Sequence, residues 1–207
     1  YGLAWLPWNE RQAVLFDIVH RKFFIFGLVF FPQDVIYLTV LLIISALALF
    51  LFTAVAGRLW CGYACPQTVY TEIFQWIERM VEGDRNARMR LDKQALGPQK
   101  IIRKSLKHGA WIALSLWTGF TFVGYFTPIR DLGVRAVTWQ LAGWEAFWLL
   151  FYGFATYGNA GWMREQVCKY MCPYARFHSV MFDRDTLVIS YDGGRGEPRG
   201  ARSRKAD

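Results

Sequence analysis

The sequence is poor in the residues and motifs that usually carry enzyme chemistry. Its three histidines, His20, His108 and His178, are scattered without the spacing of a metal-binding set. It also lacks a phosphate-binding loop, a nucleophile elbow and a Cys-x-x-Cys-His haem attachment motif. These absences argue against a histidine-ligated metal centre, a nucleotide hydrolase, a serine hydrolase and a c-type cytochrome.

Charged residues are also missing from three long stretches. The 23 residues from Val35 to Gly57 and the 21 residues from Gly109 to Ile129 contain none. Between Ala136 and Met163 the only charged residue is Glu145. A helix of 23 residues is about 34 Å long, enough to cross a hydrocarbon layer of about 30 Å. We therefore predict three membrane-spanning helices, since uncharged stretches of this length are rare in soluble cores.

The basic residues indicate how these helices are oriented. Ten Lys or Arg residues lie in segment 58–107 and nine between residue 164 and the end, whereas the connection between the second and third spans offers only Arg130 and Arg135. Basic residues near span ends mark the cytoplasmic side. Segments 58–107 and 164–207 are therefore predicted to be cytoplasmic. The charges of the linker from Glu82 to Lys107 are expected to belong to a solvated loop, and Glu145 to pair with Arg130 or Arg135.

The predicted fold is an all-α integral membrane protein with three transmembrane helices, an N-terminal interfacial segment and an amphipathic helix after each of two cysteine motifs. Within the interfacial segment, the apolar run Phe23–Phe31 is too short to span a membrane and is expected to form a hairpin or a strand pair. The predicted segments are an extracytoplasmic interfacial segment at 1–33, transmembrane helices at 34–57, 108–129 and 140–163, an extracytoplasmic loop at 130–139, and the cytoplasmic segments 58–107 and 164–207. The chain starts with Tyr1 and ends in a glycine-rich stretch, so we expect it to be the membrane core of a longer protein.

All four cysteines lie in two copies of one motif, Cys-x-x-x-Cys-Pro. Cys61 and Cys65 form the first pair, and Cys168 and Cys172 form the second. Because proline is favoured at the first position of a helix, Cys65 and Cys172 are predicted to sit at helix N-caps, where the helix dipole stabilises a thiolate. The spans before the two motifs run in the same direction, so both motifs are expected at one membrane face. Four thiolates could then share one redox-active metal site.

The pattern alone leaves the nature of this site open. Four thiolates suit an iron–sulfur cluster or a structural zinc, and two suit Cu(I). A reversible dithiol–disulfide pair and simple packing cysteines are further alternatives, whereas a stable disulfide is disfavoured in a reducing cytoplasm. Trp60 and the motif tyrosines Tyr63 and Tyr170 are expected to pack around the site.

Several stretches resemble one family of bacterial membrane proteins. These are residues 58–72 (RLWCGYACPQTVYTE), 168–177 (CKYMCPYARF), 5–9 (WLPWN), 11–17 (RQAVLFD) and 191–192 (YD). They resemble the cytochrome c oxidase accessory proteins known as CcoG, FixG or RdxA. The resemblance covers essentially the whole chain. A wider group of polyferredoxin membrane proteins, typified by NapH and NosR, shares the paired motifs.

The resemblance implies an iron–sulfur electron-transfer protein of the bacterial inner membrane that supports assembly of a cbb-type oxidase. The implied activity is that of a cupric reductase, which converts Cu(II) to Cu(I). It implies that Cys61, Cys65, Cys168 and Cys172 bind the cofactor, a [4Fe–4S] cluster or, as in the similarly patterned Sco copper chaperones, copper. The implied partners are the lipid bilayer, oxidase-assembly or copper-transport proteins and the ferredoxin domains of the longer protein, but no nucleic acid. A Cu(I)-binding module without redox turnover and a structural anchor for the ferredoxin domains are the alternatives.

Overall fold

A computed structural model describes residues 2–8, 11–95, 97–178, 180–181 and 186–187. The described chain is mostly helical, with five short strands near its start. The strands and helices are β1 (Pro7–Trp8), β2 (Arg11–Gln12), β3 (Val14–Asp17), β4 (Lys22–Ile25), β5 (Leu28–Phe30), α1 (Val35–Ala56), α2 (Leu59–Tyr63), α3 (Pro66–Glu82), α4 (Arg85–Lys93), α5 (Pro98–Val123), α6 (Ile129–Val137), α7 (Gly143–Thr156) and α8 (Pro173–His178). Two π-helical segments, Tyr157–Met163 and Val167–Met171, lie between α7 and α8.

One described helix is long and apolar enough to cross a membrane, and it comprises Pro32–Ala56. It contains α1, and its apolar side chains are exposed along its length, as expected of a surface that faces lipid. The second predicted span corresponds to α5, whose Trp, Gly, Ser and Thr residues lower its mean hydropathy. The third is divided, since α7 ends at Thr156 and continues as a π-helix. Among the described helices, only the first of the three predicted membrane spans is therefore supported.

Helices α5 and α7 form an antiparallel pair that comes very close at two glycines. A Cβ atom at Gly119 would lie 2.3 Å from the backbone oxygen of Leu149, and one at Gly153 would lie 3.4 Å from the side chain of Leu116. Only residues without a side chain let two helix backbones approach this closely. This crossing fixes α7, and the π-helical segments that follow it, against α5.

The N-terminal residues form two small antiparallel sheets, so the all-α class does not hold for this segment, whereas the strand pair expected in the run Phe23–Phe31 is present as β4 and β5. One sheet pairs β1 with β2, and the other has the order β3-β4-β5. Gln12 attaches this region to the turn after α5, because its side chain donates to the backbone oxygen of Gly124 (2.7 Å) and accepts from the amide of Ile129 (3.1 Å). The strands β3, β4 and β5 are short runs rich in Val, Ile and Phe, the β-branched and aromatic residues that favour strands.

The segment between the second and third predicted spans contains a short helix, α6, rather than an irregular loop. The expected ion pair is present, because Arg135 Nη1 lies 2.9 Å from Glu145 Oε1. Glu145 also accepts a hydrogen bond from the backbone amide of Ala142 (3.1 Å), which caps the start of α7.

Candidate metal centre

The first cysteine motif joins α2 to α3. Cys61 lies in α2, and Cys65 is the N-cap of α3 in an extended conformation with φ −65° and ψ 124°. Pro66 occupies the first helical position, as the sequence predicts. The hydroxyl of Thr68, in the first turn of α3, donates to the backbone oxygen of Cys61 (2.6 Å) and thereby ties the two halves of the motif together.

The second motif has the same backbone arrangement. Cys168 lies in the π-helical segment Val167–Met171, and Cys172 is extended, with φ −82° and ψ 111°, just before Pro173 and α8. In each motif the amide of the second cysteine donates to the carbonyl five residues earlier. Cys65 donates to Trp60 over 3.0 Å, and Cys172 to Val167 over 2.9 Å. The predicted repeat of the motif is therefore also a repeat of backbone geometry.

The repeat extends to the residue four positions before each first cysteine. Gly57 ends α1 with φ 55° and ψ −112°, and Arg164 ends the segment Tyr157–Met163 with φ 41° and ψ −110°. Both residues turn the chain sharply from the preceding helix into the motif. A positive φ is ordinary for glycine and uncommon for arginine.

Reciprocal contacts bring the two motifs together. The residue after each motif proline reaches the end of the helix that leads into the other motif. Gln67 Nε2 donates to the backbone oxygens of Asn159 (2.9 Å) and Arg164 (3.2 Å), and the hydroxyl of Tyr174 is hydrogen-bonded to the hydroxyl of Thr53. Thr53 is fully buried. These contacts place both cysteine pairs at the same end of the molecule, as predicted.

The thiols are close enough to influence one another. Burial raises the pKa of Cys61, and the other three cysteines raise it further. Burial also raises the pKa of Cys168, with Cys65 and Cys172 as the next causes. All four cysteines are partly buried and free of disulfides. Removing a proton from Cys61 or Cys168 is therefore costly unless a positively charged metal centre compensates for the thiolate.

A single metal ion and an iron–sulfur cluster require different spacings of their thiolates. Among the described residues, no three Cys, His, Asp or Glu side chains lie close enough together to bind a single metal ion. Thiolates around one zinc ion are only about 3.8 Å apart, since Zn–S bonds measure about 2.3 Å. An iron–sulfur cluster takes thiolates that are further apart, because iron and sulfide atoms lie between them.

A buried ion cluster lies behind the motifs, so the expectation of a solvated linker from Glu82 to Lys107 is wrong for these two end residues. Glu78 and Glu82 of α3 and Lys107 of α5 are all less than a tenth exposed. Lys107 Nζ lies 2.9 Å from Glu82 Oε1, and Glu78 Oε2 lies 3.1 Å from Arg164 Nη2. The four-residue spacing of the two glutamates places them on one face of α3, which was the only sequence signal for this cluster.

The aromatic residues near the site divide into two groups. Phe74, Trp111 and Ala160 form a buried core between α3, α5 and the segment Tyr157–Met163. Tyr63 and Tyr170, expected to pack around the site, are instead exposed by 81% and 71%. The motif tyrosines therefore form part of the surface next to the centre and not its lining.

Two family models match this chain. A model described as a 4Fe-4S binding domain matches residues 38–82, and one described as a 4Fe-4S dicluster domain matches residues 163–207. Each matched segment contains one of the two cysteine pairs. The matches identify an iron–sulfur cluster as the cofactor and place the chain among iron–sulfur electron-transfer proteins. No solved structure matches the chain significantly.

Three curated proteins are similar to this chain over nearly its whole length. Protein RdxA of Cereibacter sphaeroides is 44% identical over 96% of the chain, and protein RdxB of the same organism is 40% identical over 97%. Nitrogen fixation protein FixG of Rhizobium meliloti is 39% identical over 100% of the chain. The chain spans 44%, 43% and 40% of the lengths of RdxA, RdxB and FixG. The chain therefore belongs to the family of RdxA, RdxB and FixG and corresponds to less than half of those proteins.

Proposed function

We propose that Cys61, Cys65, Cys168 and Cys172 together hold one [4Fe–4S] cluster, through which the chain passes single electrons at the cytoplasmic face of the bacterial inner membrane. The observation that carries this proposal is the repeated backbone of the two motifs, which reciprocal contacts bring to one end of the molecule. Two cysteine pairs with matching backbone conformations supply four thiolates, one for each iron of a [4Fe–4S] cluster.

The residues around the thiols support this role. The cluster, when bound, accepts and releases one electron at a time. Cys65 and Cys172 present their sulfurs from extended residues that are fixed by the following prolines, so little reorganisation is needed when the charge of the centre changes. Partial burial of Cys61 and Cys168 limits the access of water, which is one of the factors that set the potential of such a centre.

The acceptor that we propose is copper, on the basis of the family resemblance. One electron from a reduced donor in the membrane or cytoplasm would reduce Cu(II) to Cu(I), and the Cu(I) would serve the assembly of a cbb-type oxidase. In this proposal α1, α5 and α7 with its π-helical extension all cross the membrane, and the strands β1 to β5 lie on the opposite side from the cysteines. Gln12 supports that arrangement, since it contacts the far end of α5.

The test is metal analysis of the protein purified in detergent without oxygen. We expect about four iron and four sulfide per chain, a broad visible absorption and an EPR signal after reduction. Each of the changes Cys61→Ser, Cys65→Ser, Cys168→Ser and Cys172→Ser should lower iron and sulfide several-fold. Reduction of Cu(II), followed with a Cu(I)-specific chelator, should fall in parallel.

The alternatives give different results in the same experiment. If the purified protein is colourless and binds Cu(I) but no iron, the four cysteines form a copper-transfer site and not an iron–sulfur site. Unchanged iron in all four variants would exclude these cysteines as ligands. If the cluster needs all four cysteines but the protein does not reduce Cu(II), the proposal of electron transfer stands and the proposal of copper as the acceptor is refuted.

A further inference from the structure

Arg164 has a backbone conformation that the first motif assigns to a glycine. Its φ of 41° and ψ of −110° nearly equal the 55° and −112° of Gly57 at the matching position. A bulky residue at positive φ is strained, and such strain persists only where surrounding contacts determine the conformation. Because the first motif has no side chain at this position, any role of the Arg164 side chain is specific to the second motif.

The side chain of Arg164 is fixed by three groups. Its Nη2 lies 3.1 Å from Glu78 Oε2, its Nε donates to the backbone oxygen of Gly161 over 3.0 Å, and its guanidinium lies over the ring of Trp111 at 5.6 Å from the centroid. Glu78 is itself held by Arg88, whose Nη1 lies 2.9 Å from Glu78 Oε2. Arg164 is thus fastened to a carboxylate that is already constrained.

The backbone of Arg164 is attached to the same helix by a second contact. Its carbonyl accepts a hydrogen bond from Gln67 Nε2, and Gln67 lies two residues after Cys65. Gln67 and Glu78 are eleven residues apart, which is close to three helical turns, so both point from one face of α3. Arg164 therefore aligns the segment that leads to Cys168 along the helix that begins at Cys65.

We propose that Arg164, through Glu78, is the positioning residue that sets the second cysteine pair relative to the first and thereby tunes the potential of the centre. The planar guanidinium contacts a carboxylate, a carbonyl and a ring at once, which an ammonium cannot do equally well. This inference rests on the proposed cluster, but the relative position of Cys65 and Cys168 can be measured without it.

The experiment uses the whole chain in detergent and compares Arg164→Gln, Arg164→Lys, Arg164→Gly and Glu78→Gln with wild type. Arg79→Gln is the matched control, because Arg79 lies on α3 in an exposed pair with Glu72. Iron and sulfide per chain, the EPR spectrum and the midpoint potential are measured in the cluster-loaded protein. In cluster-free protein carrying Cys61→Ser and Cys172→Ser, the yield of cross-linking between Cys65 and Cys168 by a short bis-maleimide is measured, together with the unfolding temperature.

We expect Arg164→Gln and Glu78→Gln to halve cluster content or more, to shift the potential of the remaining cluster and to lower the cross-linking yield at least twofold. Arg164→Lys should retain an intermediate yield, and Arg79→Gln should match wild type. Arg164→Gly separates backbone from side chain: it relieves the strained φ yet should show the same defects as Arg164→Gln.

Three results would overturn the inference. The first is a wild-type spectrum, potential and cross-linking yield in Arg164→Gln. The second is wild-type behaviour of Arg164→Gly, which would mean that only the backbone turn matters. The third is a loss of cluster in strict proportion to a fall in unfolding temperature, which would reduce Arg164 to general support of the fold. A wild-type protein without any cluster would refute the proposed function, while the cross-linking yield would still decide the role of Arg164.

Discussion

Glu78 illustrates how a buried carboxylate stays charged beside an apolar core. Burial on its own would raise the pKa of Glu78, but Arg164, Lys107 and Arg88 together hold the pKa below its ordinary value of 4.5. The three cations come from three different parts of the chain, so the ionised carboxylate connects α3 to α4, to α5 and to the segment before Cys168. A single titratable group thereby links the stability of this end of the molecule to pH.

The sign of that dependence follows from the direction of the pKa shift. Because the folded state lowers the pKa of Glu78, its stabilising contribution is present above the pKa of the unfolded chain and is lost as pH falls through the folded pKa. Glu78→Gln should therefore reduce stability at neutral pH by about 3 kcal/mol, since the buried Lys107 and the partly buried Arg88 and Arg164 lose a charged partner, and should flatten the loss of stability in acid. Thermal unfolding of the cluster-free protein in detergent, from neutral pH to about pH 3, measures both effects.

Glu72→Gln is the control for this prediction, because Glu72 lies on the same helix in an exposed pair with Arg79. That change should cost less than about 1 kcal/mol. Parallel pH profiles for Glu78→Gln and wild type would show that Glu78 does not carry the acid sensitivity.

Among the helices, the crossing of α5 and α7 is the contact most sensitive to an added methyl group. A Cβ at Gly119 would lie 2.3 Å from the backbone oxygen of Leu149, whereas a Cβ at Gly109 of the same helix would have no atom within 4 Å. Gly119→Ala should destabilise the protein by about 1–3 kcal/mol through overpacking. Gly109→Ala should be neutral or stabilise by up to about 1 kcal/mol, since alanine favours the helix.

Unfolding in detergent with a denaturant distinguishes the two alanine variants. Because α7 leads through the π-helical segments to Cys168, Gly119→Ala should also lower cluster content, while Gly109→Ala should not. Equal stability of the two variants would mean that the close approach of α5 and α7 does not exist in the protein.

The two motifs have similar backbone conformations around their cysteines but differ in the segment that precedes them. The second motif follows the π-helical segment Tyr157–Met163, in which backbone hydrogen bonds join residues five positions apart. The first motif follows a regular α-helix. Widened turns of this kind occur frequently at functional sites. Here they bring Asn159 and Arg164 within reach of Gln67.

For the molecule as a whole, the main prediction is the orientation of its two ends. The cysteine motifs and the basic helix α4 lie at one end of α5, and the sheets and α6 lie at the other. If α1, α5 and α7 cross the membrane, these ends face opposite compartments, with the basic end in the cytoplasm.

Two exposed glutamines, one at each end, test this topology. In a background in which the four cysteines are changed to serine, Gln94→Cys should react with a membrane-impermeant maleimide in inside-out vesicles only. Gln140→Cys should react in intact spheroplasts only. Labelling of both positions from the same side would mean that the chain between Gln94 and Gln140 crosses the membrane an even number of times. That result would refute the proposed topology.

The sequence determined the features that depend on neighbouring residues. The uncharged stretch 35–57 became α1, Pro66 and Pro173 fixed the starts of α3 and α8, and the two motifs share one local geometry, because helix starts and apolar runs are properties of contiguous chain. The pairing of Arg135 with Glu145 also followed from their predicted proximity.

Tertiary structure alone decided the rest. Glu78 and Arg164 are 86 residues apart, and Thr53 and Tyr174 are separated by 121, so no local pattern could pair them. The burial of Glu82 and Lys107 likewise depends on how α3 packs against α5, because a charged side chain enters the interior only where a partner compensates for its lost hydration. Sequence thus specified the two cysteine pairs, whereas packing and charge compensation between distant segments determined how those pairs meet.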